Sequence, residues 1–223
     1  MELRGISKTY PGRSPVTALH PSDLTIQEGE SVAIVGPSGS GKSTLLNLLG
    51  LLDVPTTGTY SLAGVDISSC TETERCSIRG QKFGFVFQAF HLLPQRSVVE
   101  NVELAMMYSG LPARDRRTRA EESLARLGLG HRVLADPRDL SGGERQRTAI
   151  ARALCLEPEV LFCDEPTGNL DSKNSRAVIE TLFELNELGQ TLVMVTHDMA
   201  LAAQLSRVVH VEDGRLGPGG GLL

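Results

Sequence analysis

The apolar positions along the chain follow two different rhythms. Over 3–35 they come as short runs between polar turns: Leu3-Arg4-Gly5-Ile6-Ser7-Lys8-Thr9-Tyr10, a loop rich in Pro, Gly and Ser, then Ser22-Asp23-Leu24-Thr25-Ile26, a pattern that predicts strands. Ser31-Val32-Ala33-Ile34-Val35 is apolar almost throughout and stops at Gly36, and 42–52 follows as a predicted helix. Between 89 and 158 the period lengthens. Helices are predicted over 100–108, 113–127 and 143–156, separated by Gly and Pro breaks. Strand-like runs return at Val160-Leu161-Phe162-Cys163 and Thr191-Leu192-Val193-Met194-Val195, with a helical stretch over 172–188 between them. A helical block set inside a strand and helix alternation predicts an α/β core, 1–88 with 159–223, interrupted by a helical subdomain over 89–158. No repeat with a period of about 20 to 50 residues is visible. The tail Gly217-Pro218-Gly219-Gly220-Gly221 has the composition of a flexible end.

Composition narrows the range of roles. The 223 residues suffice for one α/β domain with an inserted subdomain, not for two full domains. Against 27 acidic residues stand 22 Lys and Arg, and the formal charge of −5 lacks the positive field that nucleic-acid binding uses, so no nucleic-acid partner is expected. Cys70, Cys76, Cys155 and Cys163 form no C-x-x-C pair and read as reduced, cytosolic thiols. The opening Met1-Glu2-Leu3-Arg4-Gly5 lacks the apolar core of a secretory signal. The most apolar run, 45–52, is interrupted by Asn47 and Gly50 and is far short of the roughly 20 residues that span a bilayer. Any membrane role is therefore expected to come through a partner chain.

Three segments carry chemistry. Gly36-Pro37-Ser38-Gly39-Ser40-Gly41-Lys42-Ser43 fits G-x-x-x-x-G-K-[ST], between an apolar run and a predicted helix. In such a loop the backbone N–H groups wrap a phosphate, Lys42 reaches the β- and γ-phosphates, and the Ser43 hydroxyl is offered to Mg²⁺. The bland alternative is a Gly/Ser turn with no ligand. Second, Val160-Leu161-Phe162-Cys163-Asp164-Glu165 is a buried-strand run ending in two acids. Asp164 can hold the shell of Mg²⁺ and Glu165 can polarise an attacking water, although paired acids at a strand end also occur as plain surface. Third, Leu140-Ser141-Gly142-Gly143-Glu144 opens the helix that begins near Arg145. A Ser before two glycines at a helix start is an anion site by its free N–H groups and helix dipole, or else a simple cap with a hinge.

Taken together, these segments resemble the ABC ATPase family, whose signature is L-S-G-G-Q followed by a helix much like Arg145-Gln146-Arg147-Thr148-Ala149-Ile150-Ala151-Arg152-Ala153-Leu154. The resemblance runs over essentially the whole chain. It implies a P-loop NTPase core with a RecA-like mixed sheet, an N-terminal antiparallel β subdomain and an inserted α-helical signature subdomain. It also implies roles for residues that the pattern alone leaves bland: Tyr10 as the aromatic that stacks on adenine with Val16 beside it, Thr44 among the phosphate contacts, Gln88 as the Q-loop amide near Mg²⁺ and water, Asp171 in the D-loop and His197 as the switch histidine. Without the family, Tyr10 would be an edge-strand aromatic, Gln88 a loop amide and His197 a strand-end cap. The expected catalytic set is Lys42, Glu165 and His197, with ATP and Mg²⁺ as cofactors, and with Ser141, Gly142 and Gly143 among the nucleotide contacts. Glu144 departs from the family's usual Gln. An added carboxylate there either repels a γ-phosphate or points to solvent and does nothing.

Within the family, the segments Leu49-Gly50-Leu51-Leu52-Asp53-Val54-Pro55-Thr56-Thr57-Gly58, Phe87-Gln88-Ala89-Phe90-His91-Leu92-Leu93-Pro94 and Glu165-Pro166-Thr167-Gly168-Asn169-Leu170-Asp171 are similar to the group serving lipoprotein release and macrolide or peptide efflux. That likeness implies a head-to-tail homodimer around ATP, separate transmembrane permease subunits docking near the Q-loop, and a peripheral place on the inner face of the cell membrane. Its alternatives are an ATPase driving a non-transporting permease in cell division and a soluble ABC ATPase of repair or translation. Phe90, Leu92 and Leu93 are the apolar residues for docking, or ordinary core. The run Arg114-Asp115-Arg116-Arg117-Thr118-Arg119 reads as a solvated helix face paired with Glu121 and Glu122, or as a surface for lipid headgroups.

Overall fold

A computed structural model describes residues 1–217. In chain order the elements are β1 (Glu2–Tyr10), β2 (Val16–Thr25), β3 (Ser31–Val35), α1 (Lys42–Leu49), β4 (Thr57–Leu62), β5 (Val65–Asp66), α2 (Glu72–Lys82), β6 (Phe83–Phe87), α3 (Val98–Glu103), α4 (Ala113–Arg126), α5 (Gly142–Leu154), β7 (Val160–Asp164), α6 (Ser172–Glu187), β8 (Thr191–Val195), α7 (Met199–Ala202), β9 (Arg207–Glu212) and β10 (Arg215–Leu216). The described residues form two compact units, 1–77 with 191–217 and 78–190. Most of the Gly-rich tail lies outside the described residues.

The first unit holds an antiparallel sheet in the order β2-β1-β4-β5. It also holds a parallel group in which β3 pairs with both β8 and β9, closed by the hairpin of β9 and β10. Every residue of β3 and β8 is buried, as the apolar runs that follow Ser31 and Thr191 require of strands covered on both faces. Each such Val, Ile or Leu contributes about 1.5–3 kcal/mol by leaving water. The ladder puts Ile34 opposite Val195, so the chain leaves β3 and β8 at one common end.

In the second unit β6 and β7 run parallel with Phe87 opposite Asp164. The helices α3, α4 and α5 close on a core that includes Val98, Val102, Met106, Leu124, Leu140 and Ala151. The basic run lies on α4, where Arg117 pairs with Glu121 at 2.6 Å across one helical turn.

Several boundaries differ from the sequence expectation, each for a local reason. The strand expected from Ser22 begins at Val16 and runs through Pro21. The register steps from Ile6 opposite Ser22 to Lys8 opposite Leu19, and this bulge accommodates a residue with no N–H to give the ladder. The helix expected over 42–52 stops at Leu49, because Gly50 caps it and Leu51 turns to a φ of +55°. Instead of 100–108, α3 starts at Val98, where Ser97 and Glu100 form a capping box, and after Glu103 the chain tightens into a 3₁₀ turn over Leu104–Met106. Similarly α5 starts at Gly142 and ends at Leu154, just before Glu157 takes a φ of +53°. The sequence pattern predicts no element over 57–82, where β4, β5 and α2 stand. Of these, β4 buries only Tyr60 and α2 buries nothing, so neither leaves an apolar period to read.

Candidate active site

The phosphate loop is shaped by backbone packed against backbone. Gly36 follows β3 with a φ of +151°, and a Cβ there would lie 2.0 Å from the Val211 carbonyl oxygen. Gly41, at φ +106°, would place a Cβ 2.4 Å from the Ala18 carbonyl oxygen. Both positions therefore need glycine for space and for conformation. Behind the loop, the Gly214 N–H donates to the Ser40 carbonyl at 2.9 Å and the His20 N–H donates to the Gly214 carbonyl at 2.7 Å. Pro37, Ser38, Gly39 and Ser43 face solvent, Lys42 and Thr44 are half-buried, and the Lys42 ammonium donates to the Gly36 and Pro37 carbonyls at 2.9 and 2.8 Å. Free N–H groups at the start of an eight-residue helix, with an ammonium over the loop, make a strong anion cradle.

The same unit holds Tyr10, Val16 and His197. Tyr10 and Val16 are exposed partners across the β1 and β2 ladder, and Val16 is two residues, about 7 Å of strand, from the Ala18 that packs on Gly41. His197 is exposed just after β8, on the side where Gly36 leaves β3. Asp198 beside it accepts from the Ala200 and Leu201 N–H groups and starts α7.

In the second unit, parallel pairing brings Gln88, after β6, and Asp164 with Glu165, at the end of β7, to one edge. Glu165 has a φ of +47°, an uncommon left-handed conformation for a non-glycine residue, at the strand-to-loop turn. The Gln88 amide nitrogen donates to Asn169 Oδ1 at 3.4 Å, and Asn169 Nδ2 returns a bond to the Gln88 carbonyl at 3.0 Å. Gly168 makes room for this, since a Cβ there would come 2.7 Å from Gln88 Nε2.

The signature opens α5 as its cap. Ser141 Oγ accepts the Glu144 N–H at 3.2 Å, and the Glu144 carboxylate accepts the Ser141 N–H at 2.9 Å. A second bond from Arg132 Nε, at 2.9 Å, completes the pairing of Glu144. The Ser141 backbone N–H, then its hydroxyl and Arg132, outweigh partial burial and hold this carboxyl below its ordinary range. Gly143 is buried against α6, where a Cβ would lie 2.2 Å from Asn174 Oδ1. Asp171 caps α6 by accepting from the Lys173 and Asn174 N–H groups, and it takes a further bond from Asn174 Nδ2 at 2.6 Å. The two Asn174 bonds pull its carboxyl down.

Sequence reasoning missed the residues that tie the loops of the second unit together. Gln146, fully buried on α5, donates from Nε2 to the Phe87 carbonyl at 3.2 Å and to the Pro166 carbonyl at 2.6 Å. One amide thus holds both strand-end loops. Arg152 donates to the Phe90 and His91 carbonyls at 2.9 and 2.6 Å, and the Arg145 guanidinium lies 5.2 Å from the centre of the Phe90 ring. Phe90 is committed to that stack, while Leu93 is exposed. A signal for Gln146 existed: it shares the buried helix face of Gly143 and Ile150, where a lone polar residue needs partners.

Three comparisons bear on these features. The family model described as ABC transporter matches residues 19–168. The chain is 48% identical over 219 residues to the uncharacterized ABC transporter ATP-binding protein YknY of Bacillus subtilis (strain 168), covering 98% of this chain and 95% of that one. It is 50% identical over 215 residues to the macrolide export ATP-binding/permease protein MacB of Rhodopseudomonas palustris (strain HaA2), covering 96% of this chain but a third (33%) of that longer one. Among solved structures, the dimeric post-hydrolysis state of the ATP-binding cassette MJ0796 bound to ADP and Pi superposes with a TM-score of 0.89 at 40% identity, over 100% of this chain and 98% of that one. The antiparallel N-terminal sheet, the parallel strands and the helical block expected from the sequence are those of this cassette.

Proposed function

Since the chain belongs to the ABC transporter family and is an ATP-binding, ATP-hydrolysing domain of it, we propose that it works as a homodimer that closes on two ATP molecules and drives separate permease subunits of the efflux or lipoprotein-extraction type. The observation that carries this reading is the pair of anion-binding helix starts in one short chain, α1 behind the phosphate loop and α5 behind the signature. Each phosphate group would be held by α1 of one copy and faced by Ser141 to Gly143 of the other, so the nucleotide itself joins the copies.

In the proposed cycle Lys42 neutralises the β- and γ-phosphates. Glu165 orients and deprotonates the attacking water, and His197 bonds the γ-phosphate to keep the attack in line. Mg²⁺ would be taken by hard oxygen donors, of which the Ser43 hydroxyl, the Asp164 carboxylate and the Gln88 amide oxygen are the proposed ones. Among the described residues no group of three or more His, Cys, Asp or Glu side chains could hold a metal ion by itself. When bound, Mg²⁺ would neutralise charge developing on the transferred phosphoryl oxygens. No described helix is long and apolar enough to cross a membrane. In this reading membrane work passes through a permease helix docked beside Gln88 and the exposed Leu93.

Slowing hydrolysis tests the dimer. Glu165→Gln with ATP and Mg²⁺ should run as a dimer by light scattering and as a monomer after exchange into ADP; a monomer under both conditions would refute the scheme. Co-purification from native membranes tests the coupling, where a permease with few helices and a large outer domain is expected and a many-helix importer would overturn the subgroup.

A further inference from the structure

The ring of Tyr10 is held from two sides by side chains with no place in the cycle above. Its hydroxyl donates to Asp53 Oδ2 at 2.9 Å, and the Lys8 ammonium lies 4.9 Å from the ring centre. Lys8 in turn donates to Asp53 Oδ1 at 2.5 Å and to the Val54 carbonyl at 2.7 Å. Lys8 and Asp53 keep only 12% and 25% of their side-chain surface exposed, whereas Tyr10, taken as a whole residue, is 38% exposed. One ring face is thus covered by a cation and the phenol is tied down, while the residue remains open to solvent.

Asp53 is itself fixed to the helix that begins at the phosphate loop. Its N–H and that of Leu52 both donate to the Asn47 carbonyl in the last turn of α1, at 3.2 and 2.8 Å. A rigid path therefore runs from Lys42, along α1, through Asp53, to the Tyr10 ring. Rings free to rotate lose entropy when a base stacks on them, and a ring already held does not.

We infer that Asp53, with Lys8, is a positioning residue that holds Tyr10 as a preformed stacking platform in register with the phosphate loop. The inference rests on the reading that Tyr10 receives the base. Burial pushes the Asp53 carboxyl up, but Lys8, the Val54 N–H and the Tyr10 hydroxyl outweigh it and keep the group ionised as their acceptor.

The test compares ATP with inorganic tripolyphosphate, which occupies the phosphate loop and has no base, by calorimetric titration of the full chain. Asp53→Ala should weaken ATP about fivefold to tenfold, as expected from losing a preorganised contact of about 1 kcal/mol, and leave tripolyphosphate within about twofold. Tyr10→Phe, which keeps the ring and deletes the bond, should lose ATP affinity in the same direction, and the pair of changes should cost no more than Asp53→Ala alone. Asp53→Asn, which keeps an acceptor for the hydroxyl, should recover part of the loss. Equal weakening of both ligands by Asp53→Ala would mean a merely structural role and overturn the inference, as would unchanged ATP binding in Asp53→Ala and Tyr10→Phe when Tyr10→Ala binds ATP poorly. If Tyr10→Ala leaves the ratio of the two affinities untouched, the base reading itself fails. Should Asp53→Ala not fold, Tyr10→Phe decides alone.

Discussion

Arg132 and Glu144 form an ion pair, Nε to Oε1 at 2.9 Å, that engages the carboxylate by which this signature departs from the usual glutamine. The other oxygen of Glu144 caps Ser141, so the added charge is spent within the chain and does not stand bare at the head of α5. Removing Arg132 should restore the repulsion. Arg132→Ala is expected to lower ATP turnover by up to about fivefold, the scale of a partly exposed pair, and Arg132→Ala/Glu144→Gln to regain it. Steady-state phosphate release measures both, and a double variant as slow as the single one would dismiss the electrostatic account.

Protons should act on the same cap. A carboxyl held below its ordinary value stabilises the fold fully above the ordinary carboxylate range and loses that contribution as pH falls through the depressed folded value. The melting temperature of the parent relative to Glu144→Gln should therefore be highest near neutrality and decline below about pH 4. A difference that stays flat, or grows in acid, contradicts the assignment of that bond.

Gly143→Ala should destabilise by about 1–2 kcal/mol despite the better helix propensity of Ala, since the new methyl collides with the Asn174 carboxamide that Asp171 holds in place. Asn174→Ala in the same chain should return most of the loss in urea unfolding. No recovery would place the strain elsewhere.

Gln146→Leu keeps the volume and leaves the Phe87 and Pro166 carbonyls without their donor. A cost of about 1–3 kcal/mol is expected, together with slower ATP turnover because the loops carrying Gln88 and Glu165 lose their common tie. A variant with parental melting temperature and turnover would show that the tie is dispensable.

Much of this arrangement was legible in the chain, and what was not has a physical reason. Strand ends at Gly36, Asp164 and His197 could be read because apolar runs stop there, and the helix start at Ser141 because Ser and Gly mark caps. Even the cap by Glu144 was written in the S-x-x-E spacing of 141–144, which is that of a capping box. The partners from distant segments were not legible: Arg132 for Glu144, Asp53 for Tyr10, Arg152 for the 90–91 carbonyls. Such pairs depend on tertiary placement, and no local period or spacing encodes them. The α2 helix escaped for the opposite reason, as a helix with no buried face has nothing hydrophobic to repeat.

The wall behind the phosphate loop is main chain: the carbonyls of Ala18 and Val211 stand against Gly41 and Gly36, and the amides of His20 and Gly214 lace it together. Every residue type carries that same carbonyl, and every type but proline that same amide. The wall is thus insulated from most sequence drift along β2, whereas Gly214, at a φ of +71° and with a Cβ that would lie 3.0 Å from the Ala18 carbonyl oxygen, is held to glycine. Natural variation can rewrite the outward chemistry of that strand, and with it what it meets, while the backbone shape behind the loop persists.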